Sequence, residues 1–140
     1  MRGNFLRDSY TARAYYRNWQ RIKIKLWKYN KREIRRYKTP DGKVPFGEWF
    51  DSARDRNVRV RIKSRLDRVQ QGNFGDIKSV GEGVFELRIN YGPGYRIYFG
   101  QFGLTIVVIL VAGDKSTQEQ DIRQAIVYWK DYERRESTDK

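Results

Sequence analysis

Apolar residues follow two different periods along the chain from Lys31 onward, and each period predicts its own kind of element. The stretch KREIRRYKT is typical of a first strand, which ends at the turn sequence TPDGK. Two helices are predicted next, one beginning at Pro45 and one across NVRVRIKSRLDRVQQGN, ended by Gly72. Spacings of three and four residues form their apolar faces: Phe46, Trp49, Phe50 and Ala53, then Ile62, Leu66 and Val69.

The second half of the chain carries three strand patterns and a last helix. VFELRIN and YRIYFGQF alternate, whereas LTIVVILVAG is almost continuously apolar and is expected at the centre of a sheet. NFGDIKSVGEG, which precedes them, is predicted to be a glycine-rich loop. STQEQDIRQAIVYWKDYERR begins with a Ser/Thr cap and predicts the final helix. The order predicts an α+β domain, an antiparallel sheet packed against two N-terminal helices and a C-terminal helix.

Composition narrows the chemistry that this chain can perform. It has no cysteine and no histidine, which removes thiolate metal sites and the commonest general base. The longest apolar run, Leu104 to Gly113, is about half of what a membrane-spanning helix needs, and no signal-peptide pattern is present. We therefore expect a cytoplasmic protein with no membrane contact, no metal and no cofactor.

Positive charge is concentrated at the N-terminus. The net charge is +13, and residues 1–38 hold thirteen Lys/Arg against two acids. Such a segment attracts phosphate polymers. We expect residues 1–30 to be a basic extension, either an RNA-binding arm or a poorly ordered segment outside the native product. Residues 31–135 are predicted to form the domain and residues 136–140 a tail.

Two stretches carry a resemblance to a known family: GNFGDIKSVGEGVFELRINYGPGYRIYF, from Gly72 to Phe99, and AGDKSTQEQDI, from Ala112 to Ile122. They resemble the RelE/ParE superfamily of type II toxins, and more closely its HigB-like, phage-derived branch of addiction-module killer proteins. The resemblance extends from about Lys31 to Tyr132. It implies a small RelE-like fold and an mRNA interferase, an endoribonuclease that cuts mRNA in the ribosomal 30S A site. The implied partners are mRNA, the ribosome and a cognate antitoxin protein.

An alternative function comes from the same superfamily, because many of its members act on DNA gyrase. The chain could then be a non-catalytic protein inhibitor, such as a ParE-like gyrase poison, or a degenerate toxin. The enzyme hypothesis predicts that Arg88, Arg96 and Lys115 converge on one concave face of the sheet. The inhibitor hypothesis predicts that they diverge, or that they pair with carboxylates such as Glu86 or Asp114.

Metal-free RNA cleavage requires a group that accepts the 2′-OH proton, one that stabilises the phosphorane and one that protonates the leaving oxygen. The resemblance places Arg96 at the phosphate-stabilising position and Lys115 roughly at a basic position after the last strand. Hairpin pairing predicts that Arg88 lies near Arg96, and Tyr98 shares the face of Arg96. Our candidate catalytic residues are thus Arg96, Arg88, Lys115 and Tyr98, and our candidate RNA-binding residues are Lys78, Tyr91, Tyr95, Arg59 and Arg61. For Tyr91 and Tyr95, packing in the core or the turn is the alternative role.

Overall fold

One five-stranded sheet organises the protein in the computed structural model, which describes residues 31–138. The strands are β1 (Glu33–Arg36), β2 (Ile77–Gly81), β3 (Val84–Ile89), β4 (Tyr95–Phe102) and β5 (Ile106–Asp114). The helices are α1 (Pro45–Ser52), α2 (Arg56–Gln70) and α3 (Gln118–Thr138), and a 3-10 turn (Lys115–Thr117) precedes α3. The predicted α+β class is confirmed. The predicted N-terminal extension lies outside the described residues.

The sheet differs from the prediction in one strand and in one pairing. Its order is β1-β5-β4-β3-β2, and β1 runs parallel to β5, so the sheet is mixed and not purely antiparallel. Strand β2 lies within the stretch predicted to be a glycine-rich loop. It forms one edge of the sheet, and its residues are exposed or only partly buried. A short edge strand with Gly, Ser and Lys has neither the apolar pattern nor the propensity that would predict it.

Helices cover both faces of the sheet. On one face, α1 and α2 bury Phe46, Val58 and Ile62 against β3, β4 and β5. On the other face, α3 buries Ala125 and Trp129 against the sheet. Side chains of β4 therefore point to both faces of the sheet, as its alternating sequence predicts. Tyr95 packs on the α1–α2 side and Tyr98 on the α3 side.

Two glycines allow α3 to approach the sheet closely. A Cβ atom at Gly100 would overlap the indole ring of Trp129, and one at Gly113 would overlap the Asp121 carboxylate. Gly113 is also the cross-strand partner of Arg96. The first turns of α3 are therefore placed beside Arg96. Within residues 31–138, no helix is both long and apolar enough to cross a membrane.

Candidate active site

Two arginines lie side by side at the end of the β3–β4 hairpin. Arg88 on β3 and Arg96 on β4 are direct cross-strand partners, which confirms the predicted pairing. Like charges in this arrangement repel each other, so the pair costs stability unless anionic groups offset it. Both arginines line a cleft of about 350 Å³, and Asp76, Ile89, Asn90, Gly94 and Tyr95 complete its walls.

Arg88 holds the exposed side of this cleft. Its Nη2 and Nε donate hydrogen bonds to Oδ1 of Asp76 at 2.9 Å and 3.2 Å. Both side chains of this ion pair reach solvent, so the pair contributes little to stability and exchanges readily with other charged partners. Arg88 is thus positioned to bind an anion that enters the cleft.

Arg96 is held from the interior by Glu86, a buried residue on β3. Its Nε lies 3.5 Å from Oε2 of Glu86, and its Nη1 donates to the Gly94 carbonyl at 3.2 Å. The same carboxylate oxygen accepts hydrogen bonds from the Tyr98 hydroxyl at 3.0 Å and from Nε2 of Gln118 at 2.9 Å. Glu86 thus connects β3, β4 and α3 around the Arg96 guanidinium.

Tyr98, predicted to be a catalytic residue, lies in the core and not at the surface of the cleft. Its ring is fully buried in the core beneath α3, so it offers no surface to a nucleotide. Burial, and then the hydrogen bond and charge of Glu86, raise the pKa of the Tyr98 hydroxyl far above its usual range. Tyr98 therefore stays protonated as a donor to Glu86, and its geometry is that of a positioning residue.

The structure leaves Lys115 outside the cleft that Arg88 and Arg96 share. Lys115 is exposed in the 3-10 turn after β5 and is not among the residues lining the cleft. The Asp114 carboxylate accepts a hydrogen bond from the Ser116 amide at 2.8 Å and caps this turn. These Ser116 hydrogen bonds also lower the pKa of Asp114. Asp114 thus caps the 3-10 turn that precedes α3, and Ser116 and Thr117, the residues predicted to cap the final helix, lie within that turn.

Lys78 lies near the arginine pair but on the edge strand. It is exposed on β2, directly opposite Glu86 across the β2–β3 ladder. Because residues two apart on a strand share a face, Lys78 lies on the same face of the sheet as Arg88. It extends the basic surface from the cleft toward the edge of the sheet.

The two candidate tyrosines are partly buried and pack against the α1–α2 core. Tyr95 lines the cleft, and its ring contacts Trp49 edge-on at a centroid distance of 6.0 Å. Tyr91 donates its hydroxyl to Asp55 at 3.0 Å, and Asp55 is the N-cap of α2. Packing thus accounts for both residues, and of the two only Tyr95 also lines the cleft.

The two candidate arginines of α2 have different surroundings. Arg61 is exposed, and its guanidinium lies over the Tyr91 ring, 4.3 Å from the centroid. Arg59 is partly buried and donates to the Ala53 carbonyl. Arg61 therefore presents a charge at the surface, whereas Arg59 closes the junction between α1 and α2.

Three contributors to this site have no separate signal in the sequence as functional residues. Asp76 lies in the stretch predicted to be a loop, and Gln118 lies far from the hairpin along the chain. Arg65, one of several arginines on α2, donates to the Arg88 carbonyl at 2.6 Å and to the Phe74 carbonyl at 3.0 Å. Glu86, in contrast, is one of the carboxylates that the inhibitor hypothesis pairs with the candidate catalytic cations, and it lies two residues before Arg88 on the same strand face.

Comparison with known proteins identifies a relative of this chain. No family model matches the chain. A Haemophilus influenzae protein, named "Uncharacterized protein", is 48% identical over 82 residues, which are 59% of this chain and 83% of that protein.

Proposed function

We propose that the chain, which belongs to the same family as the Haemophilus influenzae protein, is the toxin of a type II toxin–antitoxin pair and a metal-independent endoribonuclease. It would cleave mRNA on the ribosome and so inhibit translation. The observation that carries the proposal is the Arg88–Arg96 pair in the wall of an open cleft. A phosphate between two guanidinium groups offsets their repulsion, and planar guanidinium groups bind phosphate oxygens in bidentate fashion. The resemblance of Gly72–Phe99 to HigB-like toxins supports the same assignment.

The two arginines act on the charge that develops during cleavage. The 2′-oxygen attacks the adjacent phosphorus and gives up its proton, and the bond from phosphorus to the 5′-oxygen then breaks. The products are a 2′,3′-cyclic phosphate and a 5′-OH that has taken up a proton. Arg96, fixed by Glu86, and Arg88, at the cleft surface, stabilise the extra negative charge on the phosphorane. Removing one preorganised donor of this kind lowers rates by about 10²–10³-fold.

Substrate positioning supplies much of the remaining rate in this proposal. The chain has no histidine to serve as general acid or base. Binding that holds the reacting 2′-oxygen in line with the phosphorus pays the entropy cost of alignment before the chemical step. The activation barrier is then lower. The ribosomal A site presents mRNA in a fixed conformation, and for this reason we place the reaction on the ribosome.

A second candidate function is the non-catalytic inhibitor, such as a gyrase poison. The observation that favours it is that each arginine faces a carboxylate, Arg96 facing Glu86 at 3.5 Å and Arg88 facing Asp76 at 2.9 Å. We prefer the enzyme because Glu86 also serves Tyr98 and Gln118, and because both arginines still line an open cleft.

The two functions are separated by induced expression in bacteria with mapping of mRNA 5′ ends. The variant is Arg88→Gln, and Arg35→Gln is its matched control. Arg35 is likewise an exposed strand arginine, with a side chain 43% exposed against 42% for Arg88. Its partner Glu33 lies at 2.7 Å, and the partner of Arg88 lies at 2.9 Å.

We expect the wild-type chain to arrest growth and to produce new 5′ ends inside translated mRNA. Arg88→Gln should lower cleavage by about 10²-fold or more, whereas Arg35→Gln should cleave like wild type. Growth arrest with intact mRNA would refute the endoribonuclease and leave the protein inhibitor. Equal loss of cleavage in both variants would show that the cleft has no special role.

A further inference from the structure

A second basic cleft adjoins the first at the end of β3. Its volume is about 330 Å³, and Arg61, Ser64, Arg65 and Arg68 of α2 form one wall. Ile89 and Asn90 line this cleft and also the cleft of Arg88 and Arg96. The two clefts therefore form one continuous surface that passes around the end of β3.

Positive charge dominates this second cleft. Its lining holds three arginines, and among residues 31–138 no carboxylate contributes to it. Arg65 donates to backbone carbonyls at Phe74 and Arg88, which fixes the guanidinium but does not neutralise its charge. Burial is the main cause that lowers the pKa of Arg65; the like charge of Arg68 lowers it further, and the charge of Asp76 acts in the opposite direction. An anion bound in this cleft would offset the repulsion between these arginines.

We propose that this second cleft binds the phosphate backbone of the RNA strand on one side of the scissile phosphate. The proposal rests on the proposed function and adds the path of the substrate, which runs from Arg88 and Arg96 around Ile89 and Asn90 to Arg61 and Arg68. Arginine rather than lysine lines this path, and planar guanidinium groups match phosphate geometry. Ser64 adds a neutral hydroxyl donor. Tyr95 beside the first cleft offers a ring for base stacking.

An RNA strand fits this surface better than an acidic protein segment does. The core of a protein interface is expected to contain aromatic and apolar anchors. Here the described lining holds no aromatic residue, and its apolar side chains are those of Val60 and Ile89. The surface also continues directly into the cleft proposed to hold a phosphodiester, which a single polynucleotide chain can follow.

The test measures how salt affects binding of a 2′-O-methyl RNA oligonucleotide. This probe lacks the 2′-hydroxyl nucleophile, so the wild-type full-length chain binds it without cleaving it. The variant is the double substitution Arg61→Ser with Arg68→Ser, because both residues are exposed. The control is Arg123→Ser with Lys130→Ser, two exposed positions on α3 that remove the same net charge from the opposite side of the sheet.

Each lost phosphate contact lowers the slope of log affinity against log salt by about 0.7 for single strands, so two lost contacts lower it by about 1.4. If the affinities meet at about 1 M salt, this slope predicts about 25-fold weaker binding at about 0.1 M. The α3 control should keep the wild-type slope. Residues 1–30 are present in every chain, so their eight Lys/Arg contribute equally.

Three results would overturn the path. They are an equal change of slope in the two double variants, no change in the Arg61 and Arg68 variant, or tighter binding of poly-glutamate than of RNA to the same arginines. Failure of the path differs from failure of the proposed function. If wild type cuts mRNA while the α2 variant binds normally, only the path is wrong. If the slope changes as expected while mRNA stays intact in cells, the path stands and the endoribonuclease is wrong.

Discussion

Two clusters of the same residue types lie on the α3 side of the sheet. In the cleft cluster, the buried Tyr98 donates its hydroxyl to Glu86 at 3.0 Å, and Glu86 faces Arg96. In the helix-end cluster, the buried Tyr37 donates to Asp131 of α3 at 2.6 Å. Asp131 pairs with two arginines of its own helix, Arg134 and Arg135, each at 2.7 Å. The cleft cluster links α3 to β3 through Gln118, and the helix-end cluster links α3 to Tyr37, the residue after β1.

The clusters differ in where their arginines are. The side chains of Arg134 and Arg135 are 74% and 42% exposed, so water shares in solvating their charge. Arg96 is only 14% exposed and lies 3.5 Å from a carboxylate that it shares with two other donors. The helix-end cluster links α3 to the end of β1 through a carboxylate that pairs with two arginines. The cleft cluster instead holds a desolvated cation that is incompletely paired, which is the arrangement an anion-binding site needs.

The largest expected effect comes from neutralising the two carboxylates. Glu86→Gln should lower the free energy of unfolding by about 3–5 kcal/mol, because Arg96 then remains charged and largely buried without an ionic partner. Asp131→Asn should lower the free energy of unfolding by less, about 1–3 kcal/mol, because water can solvate Arg134 and Arg135 once the carboxylate charge is gone. Urea unfolding of both variants at neutral pH measures the difference.

Inorganic phosphate provides the control for this difference. If the cleft cluster is an anion site, phosphate should stabilise Glu86→Gln more than wild type, since it replaces the lost negative charge. Asp131→Asn should respond to phosphate as wild type does. A larger loss of stability in Asp131→Asn, or an equal phosphate response in both variants, would contradict the distinction between the clusters.

The next largest effect is on mRNA cleavage, which should depend on the cleft cluster and not on the helix-end cluster. Arg96→Gln should lower mRNA cleavage in a ribosome-containing extract by about 10²–10³-fold, because the phosphorane loses a preorganised donor. Arg135→Gln should leave the cleavage rate per folded molecule unchanged while lowering the melting temperature. Thermal unfolding gives the folded fraction for each variant. Equal loss of cleavage in both, after correction for folded protein, would remove the special role of the cleft cluster.

Local sequence patterns predict most of the fold and also the pairing of Arg88 with Arg96. The β3–β4 hairpin is joined by a short Gly-Pro-Gly turn, so its register places Arg88 beside Arg96, as predicted. The helical faces of α1, α2 and α3 follow from spacings of three and four residues. Strand β2 escaped prediction because it is short and lies at the edge, with little apolar surface to bury.

The contacts that distinguish the clusters depend on distant parts of the chain. Gln118 reaches Glu86 only because Gly100 and Gly113 let α3 lie close to the sheet. The same packing buries Tyr98, which strand alternation alone could only place on a face. The family resemblance assigns Lys115 only roughly to a basic position after the last strand, and the turn capped by Asp114 leaves it outside the cleft. Sequence patterns identify faces and registers, whereas burial depends on the elements packed above them.

The smallest of these effects appears at high pH in the helix-end cluster. Burial, and then the hydrogen bond and charge of Asp131, raise the pKa of Tyr37 to about 12 from its usual 10.0. The folded state therefore keeps a proton that the unfolded chain releases above about pH 10, so stability falls as pH rises from there to about 12. A shift of this size corresponds to about 2–3 kcal/mol for a buried group. The advantage of wild type over Tyr37→Phe in urea unfolding should shrink by that amount across this window. A constant advantage would show that burial and Asp131 together do not raise the pKa of Tyr37 in the folded state.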